Sequence, residues 1–279
     1  MIDARRGTAL AIAVALLLAV AAIGAPAGAA KPGGGQGHIG FELTSAKVHP
    51  RSALFAGKRK PTLHYSFDAA HPVDLKILVR DVRRDRIVAS WTERGARPGV
   101  GLKRSWNGVS RRGKAARDGR YEFRVGVAGR SRSFAGRFRL RGHVFPVDGP
   151  HGTRGPIGEF GAPRSGGRVH EGFDITGDCG TPLLAARGGK VAEVGYDPRL
   201  YGNFVLINGR KTNESYFYAH LIAPTPLHEG EHVATGADVG RIGQTGNAAG
   251  TPCHLHFEIH KHGNPVDPEP ELRDWDAYS

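Results

Sequence analysis

The stretch HLHFEIH, residues 254–260, decides the fold of the C-terminal half of the chain. Its apolar residues alternate with histidine and glutamate, which is the pattern of a β-strand with one buried face. His254 and His256 therefore project from the same face, about 6.6 Å apart along the strand. At that spacing one histidine can bind a metal ion while the other reaches only a water molecule on the ion.

A second histidine motif, RVHEGFDI, occupies residues 168–175. It places His170 and Asp174 four residues apart at the entry to a β-patterned run. The motif is not the helical HExxH pattern, because its fifth residue is Asp and Gly172 disfavours a helix. Two histidines and one carboxylate would leave one tetrahedral position for water, which is the arrangement of a catalytic zinc.

A third histidine ends the β-patterned segment YFYAHL, residues 216–221. Strict alternation predicts that Tyr216, Tyr218 and His220 share one face of the strand. The two tyrosines either line a groove or pack within the sheet, and both interpretations stay open. Four other histidines match no ligand position and are interpreted as ordinary residues, although the last strand places His260 on the face of His256: His228, His232, His260 and His262.

Eight blocks of residues 143–270, taken in order, resemble the lysostaphin/LytM-type zinc endopeptidases. The resemblance implies a compact, mostly antiparallel β fold with a groove over the sheet. It also implies cleavage of the peptide stems or cross-bridges of bacterial peptidoglycan. The blocks are FPVDG (145–149), EFGAPR (159–164), VHEGFDI (169–175), GTPLLAARGGKV (180–191), YGNFVLI (201–207), YAHL (218–221), VGRIGQTGNAAG (239–250) and CHLHFEI (253–259).

The same resemblance implies a role for each of five residues. One Zn²⁺ ion would be held by His170, Asp174 and His256. His254 would take a proton from the attacking water and pass it to the leaving amine, and His220 would hydrogen-bond the water or the developing oxyanion. Because all five positions are present, we favour an enzyme. The alternative is a non-catalytic cell-wall-binding regulator or amidase activator that retains zinc.

Cys179 and Cys253 are the only cysteines of the chain. In an oxidising compartment an even pair favours a disulfide, with two reduced cysteines as the alternative. A metal-binding role for Cys253 is disfavoured, because position 253 points away from the strand face that carries His254 and His256.

Charge divides the chain near Gly142-His143. Residues 31–142 hold 26 Lys and Arg against 8 Asp and Glu, whereas residues 143–279 hold 11 against 17. We interpret this step as the boundary between a basic domain, residues 38–142, and a zinc metallopeptidase domain, residues 143–279. The expected fold class is mainly β, with an N-terminal immunoglobulin-like β-sandwich followed by an antiparallel-β peptidase domain that carries a zinc groove.

The β-sandwich prediction rests on short β-rich runs separated by Gly, Pro and Asp, which are typical of all-β domains. Within it, SWNGVSRRGKAARDGRYEFRV, residues 105–125, resembles the FlgD-type immunoglobulin-like domain. The excess positive charge is either a solvated basic surface or a means of attachment to anionic cell-wall polymers. Nucleic acid is not an expected partner, because the chain has no nucleic-acid motif and its N-terminus predicts export.

Residues 1–30 have the pattern of a signal peptide. Arg5 and Arg6 precede an apolar run from Ala9 to Ile23, and small residues suited to cleavage follow. Residues 31–37 form a glycine-rich linker. We therefore expect an extracellular or cell-wall-associated protein, or a periplasmic one in a host with an outer membrane. A retained anchor is the alternative, and membrane contact is expected only in that case.

Overall fold

The computed structural model describes residues 40–279, and these residues lie in one compact unit. The predicted signal peptide and linker, residues 1–30 and 31–37, lie outside the described residues. The mainly β prediction is confirmed, since strands build both halves and one α-helix, α1 (Glu269–Asp276), follows them. Within residues 40–279, no helix has the length and apolar character needed to cross a membrane.

The N-terminal β region, residues 40–141, has two sheets around one hydrophobic core. One sheet has the strand order β1-β3-β6 and the other has the order β2-β8-β7-β4-β5. Both sheets contribute buried residues to the core, such as Phe67 from the first and Phe123 from the second. The strands are β1 (Glu42–His49), β2 (Ser52–Leu54), β3 (Thr62–Asp68), β4 (Val73–Asp81), β5 (Arg86–Ala96), β6 (Leu102–Ser105), β7 (Gly119–Val127) and β8 (Ser133–Arg141).

The C-terminal β region, residues 143–279, is built on an eight-stranded antiparallel sheet with the order β15-β12-β13-β14-β17-β10-β9 and with β18 also paired to β17. A separate pair, β11-β16, packs beside it. The strands are β9 (His151–Thr153), β10 (Phe173–Gly177), β11 (Pro182–Leu184), β12 (Gly189–Asp197), β13 (Gly202–Gly209), β14 (Glu214–Leu221), β15 (His232–Val233), β16 (Asp238–Arg241), β17 (His254–Lys261) and β18 (Asn264–Val266).

The two faces of β17 have different partners, as its alternation predicts. Leu255, Phe257 and Ile259 are at most 2% exposed and belong to the C-terminal core. Burial of apolar side chains of this size stabilises the fold by about 1.5–3 kcal/mol each. The opposite face is also buried and carries the polar residues of the strand. Because the apolar face is packed in the core, the positions of these polar residues are fixed.

Cys179 and Cys253 form a disulfide, which confirms the favoured interpretation of the pair. The bond joins the segment after β10 to the residue that precedes β17. It leaves Cys253 without a free thiolate, so this residue is not a metal ligand.

Direct contacts connect the two β regions. The Thr235 hydroxyl donates a hydrogen bond to the Phe55 carbonyl, and the Arg187 guanidinium lies 4.7 Å from the centroid of the Phe55 ring. At the junction between the regions, the Gly142 amide donates to the Asp118 carboxylate at 2.6 Å. The domain boundary near residues 142–143 stays a prediction.

Candidate metal centre

The register of two neighbouring strands brings a carboxylate next to a histidine. In the antiparallel pair β10-β17, Asp174 lies directly opposite His256. His170 precedes β10, and its amide donates to the Ala162 carbonyl at 2.9 Å, which ties the segment to the loop of residues 159–164. His170, Asp174 and His256 are 5%, 2% and 6% exposed. Three possible ligands, all of them buried, therefore meet in one place.

The ligand atoms converge on one point. His170 Nε2 lies 2.8 Å from His256 Nδ1, and Asp174 Oδ1 lies 3.0 Å from the first nitrogen and 3.1 Å from the second. Two imidazole nitrogens and one carboxylate oxygen form a donor set that zinc binds in proteins. This is the group within residues 40–279 that satisfies the geometric requirements of a metal site.

Hydrogen bonds outside this triangle set the tautomers of the two histidines. His170 Nδ1 donates to the Glu159 carbonyl at 2.9 Å, and His256 Nε2 donates to the Glu258 carboxylate at 2.8 Å. The remaining nitrogens, His170 Nε2 and His256 Nδ1, then direct lone pairs at each other and at Asp174. Such an arrangement is repulsive unless a positive charge lies among the three atoms, so the residues present fit a metal cation.

A proton on His256 Nδ1 supplies such a positive charge when no metal ion is bound. Burial lowers the pKa of His256, but hydrogen bonds to Asp174 and Glu258 outweigh it and raise the value to about 9. Burial raises the pKa of Asp174, yet hydrogen bonds from His170 and His256 bring it well below its usual range. Glu258, also buried, has its pKa lowered to about 2 by hydrogen bonds from His256 and His260. Both carboxylates are therefore charged at neutral pH.

His254 lies beside the three possible ligands with its Nε2 atom towards them. That nitrogen is 3.9 Å from Asp174 Oδ2. On the other side of the ring, Nδ1 donates to the Pro252 carbonyl at 2.8 Å. Burial lowers the pKa of His254 below its usual value. The imidazole is neutral, and its Nε2 lone pair is directed towards the possible ligands and Arg154.

His220 reaches the same place through a β-bulge. Along β13-β14 the register changes from Val205 opposite Tyr218 to Asn203 opposite Leu221, so β14 has one extra residue there. His220 itself has φ +63°, a left-handed backbone that non-glycine residues rarely adopt. The bulge turns the side chain to the other face of the sheet.

The alternation prediction for this segment is therefore wrong. Tyr216 and Tyr218 are fully buried in the C-terminal core, whereas His220 lines the polar cleft beside His254, with 5.0 Å between the ring centroids. Of the two interpretations of the tyrosines, packing within the sheet is the one observed. A strand period of two residues cannot anticipate a bulge, which shifts every later side chain by one position.

Neighbouring backbone fixes His220 in this orientation. Its Nδ1 donates to the Thr245 carbonyl at 2.9 Å, and its amide donates to the Tyr201 carbonyl at 2.8 Å. At Gly243 a Cβ atom would lie 2.4 Å from the Ile222 backbone, so glycine is required for the close approach of this loop. Burial, with nearby His256 and His254, lowers the pKa of His220 to about 3.

Two residues that complete the site, Arg154 and Glu258, are not among those predicted from the sequence. Arg154, at the start of the segment between β9 and β10, donates to Asp174 Oδ2 at 3.2 Å, and its Nη1 lies 3.3 Å from His254 Nε2. No local motif points to Arg154. Glu258 was detectable, because alternation in β17 places it on the face of His256. His260 bonds Glu258 and so acts on the site from its periphery.

The site opens into a cleft of about 210 Å³. Five of its lining residues are those assigned from the sequence, and three arginines, Arg154, Arg164 and Arg168, form another part of the wall. The structure thus places all five sequence-predicted site residues together, while the distribution of metal-binding and catalytic roles among them stays a prediction.

Comparison with known proteins agrees with this geometry. The model of peptidase family M23 matches residues 168–268, a range that holds all five residues. The lipoprotein NlpD of Yersinia enterocolitica is 35% identical over 96 residues, which cover 34% of this chain and 93% of that one. The chain belongs to peptidase family M23. Outside the M23 domain, the assignment of the N-terminal region to the FlgD type stays a prediction.

Other M23 relatives differ in the names they carry. A lipoprotein NlpD/LppB homolog of Pseudomonas aeruginosa is 41% identical over 113 residues, which cover 40% of this chain and 35% of that one. The murein hydrolase activator NlpD of Escherichia coli is 35% identical over 118 residues, with 42% and 29% covered. The solved catalytic domain of the antimicrobial peptidase lysostaphin from Staphylococcus simulans is 28% identical, with 44% and 92% covered and a TM-score of 0.38. The chain spans about a third of the length of most curated relatives that it matches.

Proposed function

We propose that this M23 protein is a zinc-dependent endopeptidase that hydrolyses the peptide stems or cross-bridges of bacterial peptidoglycan. The single observation that carries the proposal is the buried triangle of His170, Asp174 and His256 with the Nε2 atom of His254 3.9 Å from Asp174. A closed structural zinc site would have four protein ligands, whereas three leave a position for a reactant.

In this proposal His170 Nε2, Asp174 Oδ1 and His256 Nδ1 hold the zinc ion. When bound, zinc polarises a carbonyl oxygen and makes water acidic enough to react at neutral pH. The bonds to Glu159 and Glu258 keep the two imidazoles in the tautomers that binding needs. Asp174 is held in place on its other oxygen by Arg154.

His254 is assigned the proton transfers. Its Nε2 accepts a proton from the attacking water and gives it to the amine that leaves. The Pro252 carbonyl accepts from Nδ1, so it fixes the tautomer and stabilises the ring while it carries two protons.

His220 is assigned the orientation of the attacking water. Because its Nδ1 donates to the Thr245 carbonyl, the neutral ring can accept but cannot donate a hydrogen bond at Nε2. Accepting a hydrogen bond from the water suits this state, whereas stabilising an oxyanion would require a second proton.

A second candidate function is activation of a separate murein hydrolase, without hydrolysis by this chain. The name of the E. coli relative favours it. The two functions differ in what they require of His254 and His220, since an activator that keeps zinc for stability needs neither proton transfer nor a positioned water.

The test is the release of new amino groups from purified peptidoglycan by zinc-loaded residues 31–279, beside His254→Ala and His220→Ala. The proposal expects release by the parent, loss with a chelator, recovery with zinc, and at least about a 100-fold loss in His254→Ala with zinc still bound. No release from several wall types by a parent that holds one zinc per chain would reject the peptidase and favour the activator.

The other parts of the chain have roles that fit this proposed activity. We propose that residues 1–30 direct export, that residues 38–142 form a FlgD-type immunoglobulin-like domain, and that residues 143–279 form the peptidase domain. The 26 Lys and Arg of residues 31–142 against 8 Asp and Glu support binding of the basic region to anionic cell-wall polymers.

A further inference from the structure

The N-terminal β region contains a cleft of about 750 Å³ that takes no part in the M23 site. It lies between the start of β5 and the segment of residues 110–117 that connects β6 to β7, and Tyr121 contributes to its wall. No acidic residue lines it. Five cationic residues do, and all five are exposed: Arg86, Arg111, Arg112, Lys114 and Arg117.

These five cations have no acidic partner, unlike some arginines of the same region. Arg80, Arg84 and Arg104 each have a carboxylate oxygen within 4.0 Å. Within residues 40–279, none of the five cleft cations has one. Their positive charge is therefore not neutralised by the protein itself and is available to an external anion.

Hydrogen bonds to β5 and to a core tyrosine hold the backbone of the segment that carries most of these cations. The Arg111 amide donates to the Val88 carbonyl of β5 at 2.8 Å. The hydroxyl of Tyr121, a core residue that is 1% exposed, donates to the Arg117 carbonyl at 2.6 Å. A basic segment on a fixed backbone loses less conformational entropy on binding than a flexible one.

Apolar surface lies among the charges. Ile87 is 44% exposed, and Ala115 and Ala116 are half-buried in the cleft wall. Arginine binds phosphate, as it binds carboxylate, through two parallel hydrogen bonds. A linear polymer in which phosphates alternate with short polyol or other carbon-rich units would satisfy both kinds of surface, whereas a small isolated anion would leave the apolar part uncovered.

We propose that this cleft binds a linear phosphodiester polymer of the cell envelope and so holds the enzyme on the wall. The choice of an envelope polymer rests on the proposed function, while the binding of phosphodiester chains by the cleft does not. A carboxylate polymer and a nucleic acid are the competing ligands.

The test measures binding of poly(glycerol phosphate) to zinc-loaded residues 31–279 by fluorescence anisotropy at fixed ionic strength. The cleft variant is Arg111→Ser/Arg112→Ser/Lys114→Ser. The matched control, Lys47→Ser/Arg94→Ser/Lys103→Ser, removes the same charge from exposed residues of the same region that lie outside the cleft. We expect the Kd to rise at least about tenfold in the cleft variant and less than about twofold in the control.

Two results would overturn the proposal. Equal weakening by both variants would mean that net charge, and not the cleft, determines binding. Equal or tighter binding of poly-glutamate or of a 20-nucleotide DNA, at matched charge, would reject the phosphodiester polymer as the preferred ligand. Hydrolysis of a soluble peptidoglycan fragment and the thermal midpoint, measured in parallel, should be the same in the cleft variant and the parent. Because binding and hydrolysis are measured separately, the binding result can still be interpreted if no hydrolysis is detected.

Discussion

Each β region of the chain buries one glutamate in its central sheet, and the two differ in their partners. Glu122 on β7 and Glu258 on β17 are both 3% exposed. Glu122 pairs with Arg80, Arg124 and Arg137 at 3.3–3.4 Å. Glu258 instead accepts from two histidines, His256 and His260.

The difference shows that burial of a charge does not by itself identify a functional site. The arginines around Glu122 reach solvent, the most exposed of them with 65% of its side chain, so that cluster neutralises a buried carboxylate at the sheet surface. Glu258 acts on a histidine whose other nitrogen faces two further ligand atoms. The two glutamates therefore differ in the side chains that they bind, arginine or histidine, and in what those side chains contact in turn.

The largest expected effect comes from breaking the metal triangle itself. Asp174→Ala removes the only carboxylate among the three proposed ligands and should reduce bound zinc from one ion per chain to less than about a tenth, with hydrolysis below detection. Metal analysis after dialysis measures the zinc bound per chain. Glu122→Ala is the control and should keep its zinc. Stoichiometric zinc in Asp174→Ala would mean that the ion sits elsewhere.

The two glutamates can be compared directly by the same substitution. Glu258→Gln weakens the acceptor for His256 Nε2 and should lower zinc affinity by about 10–100-fold. Glu122→Gln should change it less than twofold, because its arginine partners contact no ligand. Competition with a chromophoric chelator gives both values, and equal affinities in the two variants would contradict the distinction drawn here.

A smaller effect is expected from Arg154, which contacts both Asp174 and His254. Arg154→Ala should lower kcat about tenfold with KM and zinc content nearly unchanged, because the hydrogen bond from its guanidinium that positions His254 is lost. Arg168→Ala, in the wall of the same cleft, is the control. If zinc is lost from Arg154→Ala as from Asp174→Ala, the residue retains the metal and does not position His254.

Away from the site, the expected effect is on stability and not on activity. His143 stacks on Trp275 with 4.5 Å between ring centroids, and burial, with Arg187 and Lys261, lowers its pKa to about 3. The unfolded chain, with an ordinary pKa of about 6.5, binds this proton first, so stability falls as the pH drops from about 6.5 towards 3. Between pH 7 and pH 5 the parent should lose about 2 kcal/mol more than His143→Phe in urea unfolding. Equal losses would show that His143 is not the group responsible.

Some parts of the fold and of the candidate site can be predicted from the sequence, and others cannot. The buried strand β17, the disulfide and the mainly β fold follow from alternation and from the cysteine count, which are local or compositional signals. The meeting of Asp174 with His256 depends on the register between distant strands, so only resemblance to a family suggested it. Arg154 could not be predicted, because it contacts His254 across 100 residues of sequence. The bulge at His220 could not be predicted either, because a single inserted residue does not change the alternating pattern of the strand.

The left-handed backbone at His220 restricts which residues could ever replace it. Glycine, asparagine and aspartate adopt φ near +63° most easily, but none of them carries an imidazole. Residues with other useful side chains would have to accept the strain of that backbone. Position 220 is therefore restricted twice, by the path of the chain and by the imidazole that the proposed chemistry requires.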